Sequence, residues 1–145
     1  MAQFKRGDMF TCFDEVDYFV VTTNAVIKNN GTLVMGAGIA KTVRDRWPGV
    51  DLAIGKAIQA HPHPWFYGFL KGQKLCAFQV KQAFNDKADM ALVEESTKQL
   101  KADAEANSDK LYALNFPAIG NGGLPYKQVM SVIQTLPDNV TVWAF

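Results

Sequence analysis

Segments that favour strands alternate along this chain with segments that favour helices, and this alternation restricts the possible folds more than any other feature. Residues 19–23 are β-branched and aromatic, as strands often are. Residues 89–107 carry apolar side chains at helical spacing behind Asp89, a typical N-cap residue. The same patterns predict strands at 19–23, 65–70, 74–81, 111–116 and 140–145, and helices at 38–47, 51–60, 89–107 and 126–135. The chain is therefore expected to be an α/β protein with helices on both faces of a sheet.

Length and composition narrow the classes of protein further. The chain has 145 residues, which suits one domain, with a net charge of +1 and no basic block that would suggest a nucleic-acid surface. No apolar run is long enough for a membrane span, and the N-terminus does not resemble a signal peptide, so we expect a cytoplasmic protein. Cys12 and Cys76 are expected to be reduced thiols. The prolines around His61 and His63 argue against a metal site there.

A glycine-rich loop lies between the predicted strand at 111–116 and the next helix. It has three glycines in the four residues 120–123, and Pro125 falls near the first turn of the helix. Glycine amides and an uncapped helix start together form a site for an anion. The alternative is a simple tight turn, and the number of glycines favours the anion site.

A second glycine-rich segment, residues 35–40, also runs into a predicted helix. It departs from the dinucleotide-binding fingerprint at Lys41, where a glycine or alanine is required, and it lacks the lysine and hydroxyl of a Walker A loop. Both glycine loops are expected beyond the carboxyl ends of strands, where α/β sheets bind ligands. Two such loops facing one crevice suit a diphosphate with a sugar on each side.

Four motifs in order resemble those of the macrodomain family over nearly the whole chain. The segment 5–9 is similar to the opening strand and Gly-Asp-hydrophobic motif, and 17–24 to the strand that ends in an asparagine. Residues 35–40 and 119–124 are similar to the two ligand loops, and the sequence of 35–40 is closest to the branch that includes the terminal ADP-ribose protein glycohydrolase. The resemblance implies a single domain, 1–145, built as a three-layer α/β/α sandwich with a central mixed, largely parallel sheet. It also implies a monomer that needs no cofactor or metal and binds ADP-ribose or an ADP-ribosylated protein.

The resemblance also assigns ligand contacts. Asp8 would accept a hydrogen bond from the adenine amino group, with the Met9 amide against the ring, although the sequence alone favours a turn residue after Gly7. Asn24 would contact the distal ribose, or act as a helix or turn cap. Trp143 fits either adenine packing or ordinary core. The remaining implied contacts are Gly36, Gly38, Ile39 and Ala40 in the first loop, Gly120, Asn121, Gly122, Gly123 and Leu124 in the second loop, and Phe145 near adenine. A bulky residue at Gly122 is expected to abolish binding with little loss of fold.

Lys81 matches the catalytic lysine of the glycohydrolase branch, and with Asn24 it forms the expected catalytic pair. A neutral lysine amine at the anomeric carbon of the distal ribose would displace a glutamyl ester. That branch also places an aspartate in the second loop, whereas no carboxylate stands between Pro117 and Tyr126 here. Three functions follow: hydrolysis of ADP-ribosyl groups on acidic residues, removal of the 1''-phosphate from ADP-ribose 1''-phosphate, or binding of ADP-ribose without chemistry.

Overall fold

The computed structural model describes residues 1–120 and 122–144, so the expectations for Asn121 and Phe145 lie outside the described residues. The strands are β1 (Gln3–Arg6), β2 (Tyr18–Thr23), β3 (Phe69–Leu70), β4 (Leu75–Gln79), β5 (Tyr112–Asn115) and β6 (Val140–Ala144). The α-helices are α1 (Gly38–Arg46), α2 (Val50–Gln59), α3 (Met90–Ala106) and α4 (Tyr126–Ile133), and a 3-10 helix spans Met9–Glu15.

The strands form a six-stranded sheet in the order β1-β6-β5-β2-β4-β3. Neighbouring strands are parallel except for β3, which pairs antiparallel with β4. The mixed, largely parallel sheet expected above is therefore confirmed.

Helices cover both faces of this sheet and create two buried cores. One core joins α3 and α4 to the sheet through residues such as Val93, Leu100 and Ile133. The other joins α1, α2 and the 3-10 helix to the opposite face through residues such as Val43 and Ile58. Because side chains alternate along each strand, one strand supplies both cores, and the α/β/α sandwich is confirmed.

The predicted strand at 65–70 is wrong in its first part, because only Phe69 and Leu70 pair with β4. Gly68 has a φ of +77°, which breaks the extended backbone before that point. The Trp65 carbonyl and the Gly68 amide bond to the side chain of Gln79 instead of to a strand. The local patterns did not predict β1. The remaining α-helices and strands were predicted to within two residues at each described end.

The 3-10 helix after β1 was not predicted. Asp8 caps it, since one carboxylate oxygen accepts from the Phe10 amide at 3.0 Å. Asp89 caps α3 in the same way, accepting from the Ala91 amide at 2.9 Å, as expected. Among the described residues, no helix is both long enough and apolar enough to cross a bilayer.

Candidate functional site

A cleft of about 790 Å³ opens beyond the carboxyl ends of the parallel strands. This volume lies within the range of small-molecule sites. Its lining runs from Arg6 at the end of β1 to Lys81 just past β4. These two strands are four strand spacings apart, which corresponds to about 19 Å. Among the described lining residues, Arg6 and Lys81 are the charged ones, and both are cationic.

The first glycine loop forms one wall of the cleft. Gly36, Gly38, Ile39 and Ala40 all line it, and their contacts with a ligand remain predictions. The loop passes directly into α1, whose N-cap residue, Ala37, provides no side-chain hydrogen bond. The first amides of α1 therefore retain donor capacity beside the cleft, and the helix dipole adds partial positive charge there.

The second glycine loop also lines the cleft. Gly120 and Gly122 line the cleft, whereas Gly123 and Leu124 do not. The Gly123 amide donates to the Gly120 carbonyl at 3.2 Å, and the Leu124 amide donates to the Ala118 carbonyl at 2.9 Å. These bonds close the loop tightly. Ala118 adopts a φ of +68°, a strained conformation for a residue other than glycine, as often found at binding sites.

Gly122 is required by the packing of this loop. A Cβ atom at this position would lie 2.6 Å from the Ala118 carbonyl oxygen. The expectation that a bulky residue at Gly122 would leave the fold intact is therefore wrong, because the backbone itself would have to move. Gly36 offers a cleaner substitution, since a Cβ there would meet nothing within 4 Å.

Lys81 lines the cleft at the edge next to β4. The side chain of Gln79, which is fully buried, forms a hydrogen bond to the backbone of Lys81. The side-chain amide of Gln79 donates to the Lys81 carbonyl at 3.2 Å and to the Trp65 carbonyl at 3.0 Å, and its oxygen accepts from the Gly68 amide at 3.0 Å. One side chain thus ties Lys81 to the segment before β3.

Asn24 lines the cleft, and its side chain also closes the first loop. Its amide nitrogen donates to the Val34 carbonyl, and its oxygen accepts from the Val26 amide, both at 2.9 Å. The turn-cap role weighed for Asn24 is therefore present in the structure. Its contact with a distal ribose remains a prediction.

A short hydrogen-bond chain lies behind Asn24. The Tyr67 hydroxyl is 2.6 Å from the Thr23 hydroxyl and 2.6 Å from the Asn24 carbonyl oxygen. Tyr67 is completely buried, and this burial raises the pKa of its hydroxyl well above the usual value. The tyrosine stays protonated at all physiological pH values.

The opposite end of the cleft is bounded by Arg6 and Ala144. Asp8, Met9 and Trp143 were expected there but do not line the cleft. Asp8 caps the 3-10 helix, and Met9 is buried in the core. Trp143 packs against the same core, with its indole nitrogen buried and unpaired among the described residues. Adenine contacts for these three residues remain predictions.

Sequence reasoning missed several residues of the lining. Thr22, Thr23 and Asn115 stand at the carboxyl ends of β2 and β5, and that position was the signal by which they could have been found. Asn115 joins the two strands by accepting from the Thr22 amide and donating to the Thr22 hydroxyl, both at 3.0 Å. Phe84 and Tyr126 add exposed aromatic surface to the lining.

Comparison with known proteins identifies the fold. No protein-family model matches the chain, and no curated protein sequence matches it. Among solved structures, the macrodomain of Thermus aquaticus DarG is similar with a TM-score of 0.74 and 26% identity, covering 100% of this chain and 97% of that one. The macrodomain of Mycobacterium tuberculosis DarG is similar with a TM-score of 0.73 and 22% identity, covering 100% and 98%. Thermosipho africanus DarTG, solved in complex with ADP-ribose, has a TM-score of 0.73 and 17% identity, and the match covers 99% of this chain and 42% of that one.

Proposed function

Since this chain is a macrodomain, we propose that its cleft binds ADP-ribose, with adenine toward Arg6 and the distal ribose toward Lys81. The observation that carries the proposal is that both glycine loops line one cleft. The amides at the start of α1 and in the second loop suit a diphosphate, and Arg6 and Lys81 add positive charge at the two ends. The complex of DarTG with ADP-ribose supports the same ligand by similarity of fold.

Binding is tested by titration calorimetry and by thermal unfolding with ADP-ribose. At a ligand concentration of one hundred times Kd, the expected stabilisation is about 2.7 kcal/mol, or about 5–10 °C for a domain of this size. Gly36→Glu should abolish the stabilisation, because the new side chain enters the open space of the cleft and repels a diphosphate. Gln73→Glu, an exposed position outside the cleft, is the charge control and should leave binding unchanged.

We further propose that the bound group is hydrolysed at the distal ribose, with Lys81 as nucleophile and Asn24 as a ribose contact. The neutral Lys81 amine attacks the anomeric carbon, a C–N bond forms, and the bond to the ester oxygen breaks as the carboxylate leaves with its electron pair. Water then attacks the same carbon, and the C–N bond breaks with its electron pair returning to nitrogen. The amine is released in its neutral form, one proton passes to solvent, and free ADP-ribose leaves. The position of Lys81 in the cleft, with its backbone held by Gln79, supports this role.

The test is release of ADP-ribose from a glutamate-ADP-ribosylated protein. Lys81→Ala should reduce release to background, whereas Lys87→Ala, an exposed lysine on the same segment that does not line the cleft, should not. Asn24→Ala should also lower turnover. Unchanged release in both Lys81→Ala and Asn24→Ala would refute the assignment of the catalytic pair.

A non-catalytic ADP-ribose reader is the second candidate, favoured by the absence of a carboxylate between Pro117 and Tyr126. A reader would bind ADP-ribose but release none from the modified protein. A phosphatase that uses the same cleft would orient water at the loop amides. A parallel assay of phosphate release from ADP-ribose 1''-phosphate distinguishes the reader from such a phosphatase.

A further inference from the structure

The direction of each hydrogen bond in the chain formed by Thr23, Tyr67 and Asn24 can be assigned from the chemistry of its members. The Asn24 carbonyl has no proton, so at 2.6 Å the Tyr67 hydroxyl must donate to it. A tyrosine hydroxyl has only one proton. The Thr23 hydroxyl, also 2.6 Å away, must therefore donate to the Tyr67 oxygen.

This assignment leaves the Thr23 oxygen as an acceptor. Its single proton is held by Tyr67, and no other described residue donates to its oxygen. Thr23 lines the cleft with 5% of its surface exposed, and the remaining lone pairs of its hydroxyl oxygen have no partner among the described residues. A group that only accepts selects for a ligand that donates, such as a hydroxyl.

Thr23 and Lys81 lie at the carboxyl ends of two neighbouring strands. Thr23 pairs with Gln79 in the register of β2 and β4, and Lys81 follows Gln79 by two residues, just past the end of β4. From the spacing of strands and of residues along them, the Cα atoms of Thr23 and Lys81 are about 8 Å apart. The acceptor thus stands next to the end of the cleft where the distal ribose would lie.

We propose that Thr23 is a specificity-determining residue that accepts a hydrogen bond from a hydroxyl of the distal ribose, and that Tyr67 is the positioning residue that fixes its direction. The inference rests on the proposed binding of ADP-ribose. It adds a side chain that recognises the sugar hydroxyls, whereas the loop amides recognise the phosphates. A ligand that ends at the second phosphate makes no use of Thr23.

The test compares the affinities of ADP-ribose and ADP by calorimetry for the wild type, Thr23→Val, Thr23→Ser and Tyr67→Phe. Thr23→Val keeps the shape of the side chain and leaves the Tyr67 hydroxyl bonded to Asn24, so the variant should fold. It should weaken ADP-ribose binding by about fivefold, the scale of one neutral hydrogen bond, and leave ADP binding unchanged. Thr23→Ser should restore the wild-type ratio of the two affinities.

Tyr67→Phe should lower the same ratio, because the freed Thr23 hydroxyl no longer has a fixed proton. Structural damage alone would weaken the binding of ADP-ribose and ADP equally, so the ratio of the two affinities would keep its wild-type value. That result would overturn the assignment. An unchanged affinity for ADP-ribose in Thr23→Val would overturn it as well. A wild-type protein that binds neither ligand would instead overturn the proposed function, and with it the role of Thr23.

Discussion

Replacing Gln79 with leucine removes the side-chain amide that joins the backbone of Lys81 to the segment before β3. The side chain is fully buried and bonds to the Gly68 amide and to the carbonyls of Trp65 and Lys81. Leucine is similar in size, so the main effect should be the loss of these bonds rather than a cavity. We expect Gln79→Leu to lower both the free energy of unfolding and the rate of ADP-ribose release.

The three backbone groups do not lose their partners equally. The Trp65 carbonyl keeps a bond from the Gln82 side chain at 3.3 Å, and Lys81 is partly exposed and can reach water. The Gly68 amide is buried and loses its acceptor, at a cost of about 1–3 kcal/mol. With a smaller loss at Lys81, the expected total is about 2–3 kcal/mol, or roughly 5–10 °C in Tm.

Urea unfolding of Gln79→Leu and Gln82→Leu measures this difference. Gln82 donates to the same Trp65 carbonyl but is partly exposed, so its replacement should cost less than about 0.5 kcal/mol. Measured below its Tm, Gln79→Leu should release ADP-ribose at least about tenfold more slowly, because the backbone of Lys81 is displaced. Equal losses of stability in the two variants would refute the view that Gln79 supports this end of the cleft.

The glycine loops and one buried thiol give two further predictions. Gly122→Ala should lower the free energy of unfolding, measured in urea, by about 1–3 kcal/mol, because its Cβ would lie 2.6 Å from the Ala118 carbonyl oxygen. Gly36→Ala should change the free energy of unfolding by less than about 0.5 kcal/mol. Similar values for the two variants would contradict this packing. Burial raises the pKa of the Cys76 thiol from 9.0 to about 11. Because the folded-state pKa is the higher one, the contribution of the buried thiol to stability is fully present below about pH 9. It should be lost between about pH 9 and 11, by up to about 3 kcal/mol. Cys76→Ala should remove this part of the alkaline loss, and an identical pH profile in the variant would argue against it.

The fold class could be predicted because local patterns and tertiary structure agree along most of the chain. Residues 19–23 read as a strand and form β2, and the apolar period behind Asp89 forms α3. The prediction failed at residues 65–68, where aromatic residues resemble a strand. There the backbone bonds to the side chain of Gln79, a contact across 11 to 14 residues that no local pattern reveals.

The glycine loops of the candidate site were also predictable, since each lies between a strand pattern and a helix pattern. The polar groups beneath them were not. Thr23 looks like any strand residue, and its partner Tyr67 is 44 positions away in the chain. Gly122 illustrates a different limit, because its closeness to Ala118 depends on how the loop closes, which glycine content does not specify.

The two parts of the cleft differ in how they are built, and this difference suggests a division of roles. The side near Lys81 rests on buried side chains, Gln79 and Tyr67, whose hydrogen bonds fix the backbone. The loops that face the proposed diphosphate offer mainly backbone amides. Positioning within a fraction of an ångström matters for bond making, whereas phosphates are held by several donors at once. Substitutions beneath Lys81 should therefore act chiefly on kcat, and substitutions in the loops should act chiefly on KM.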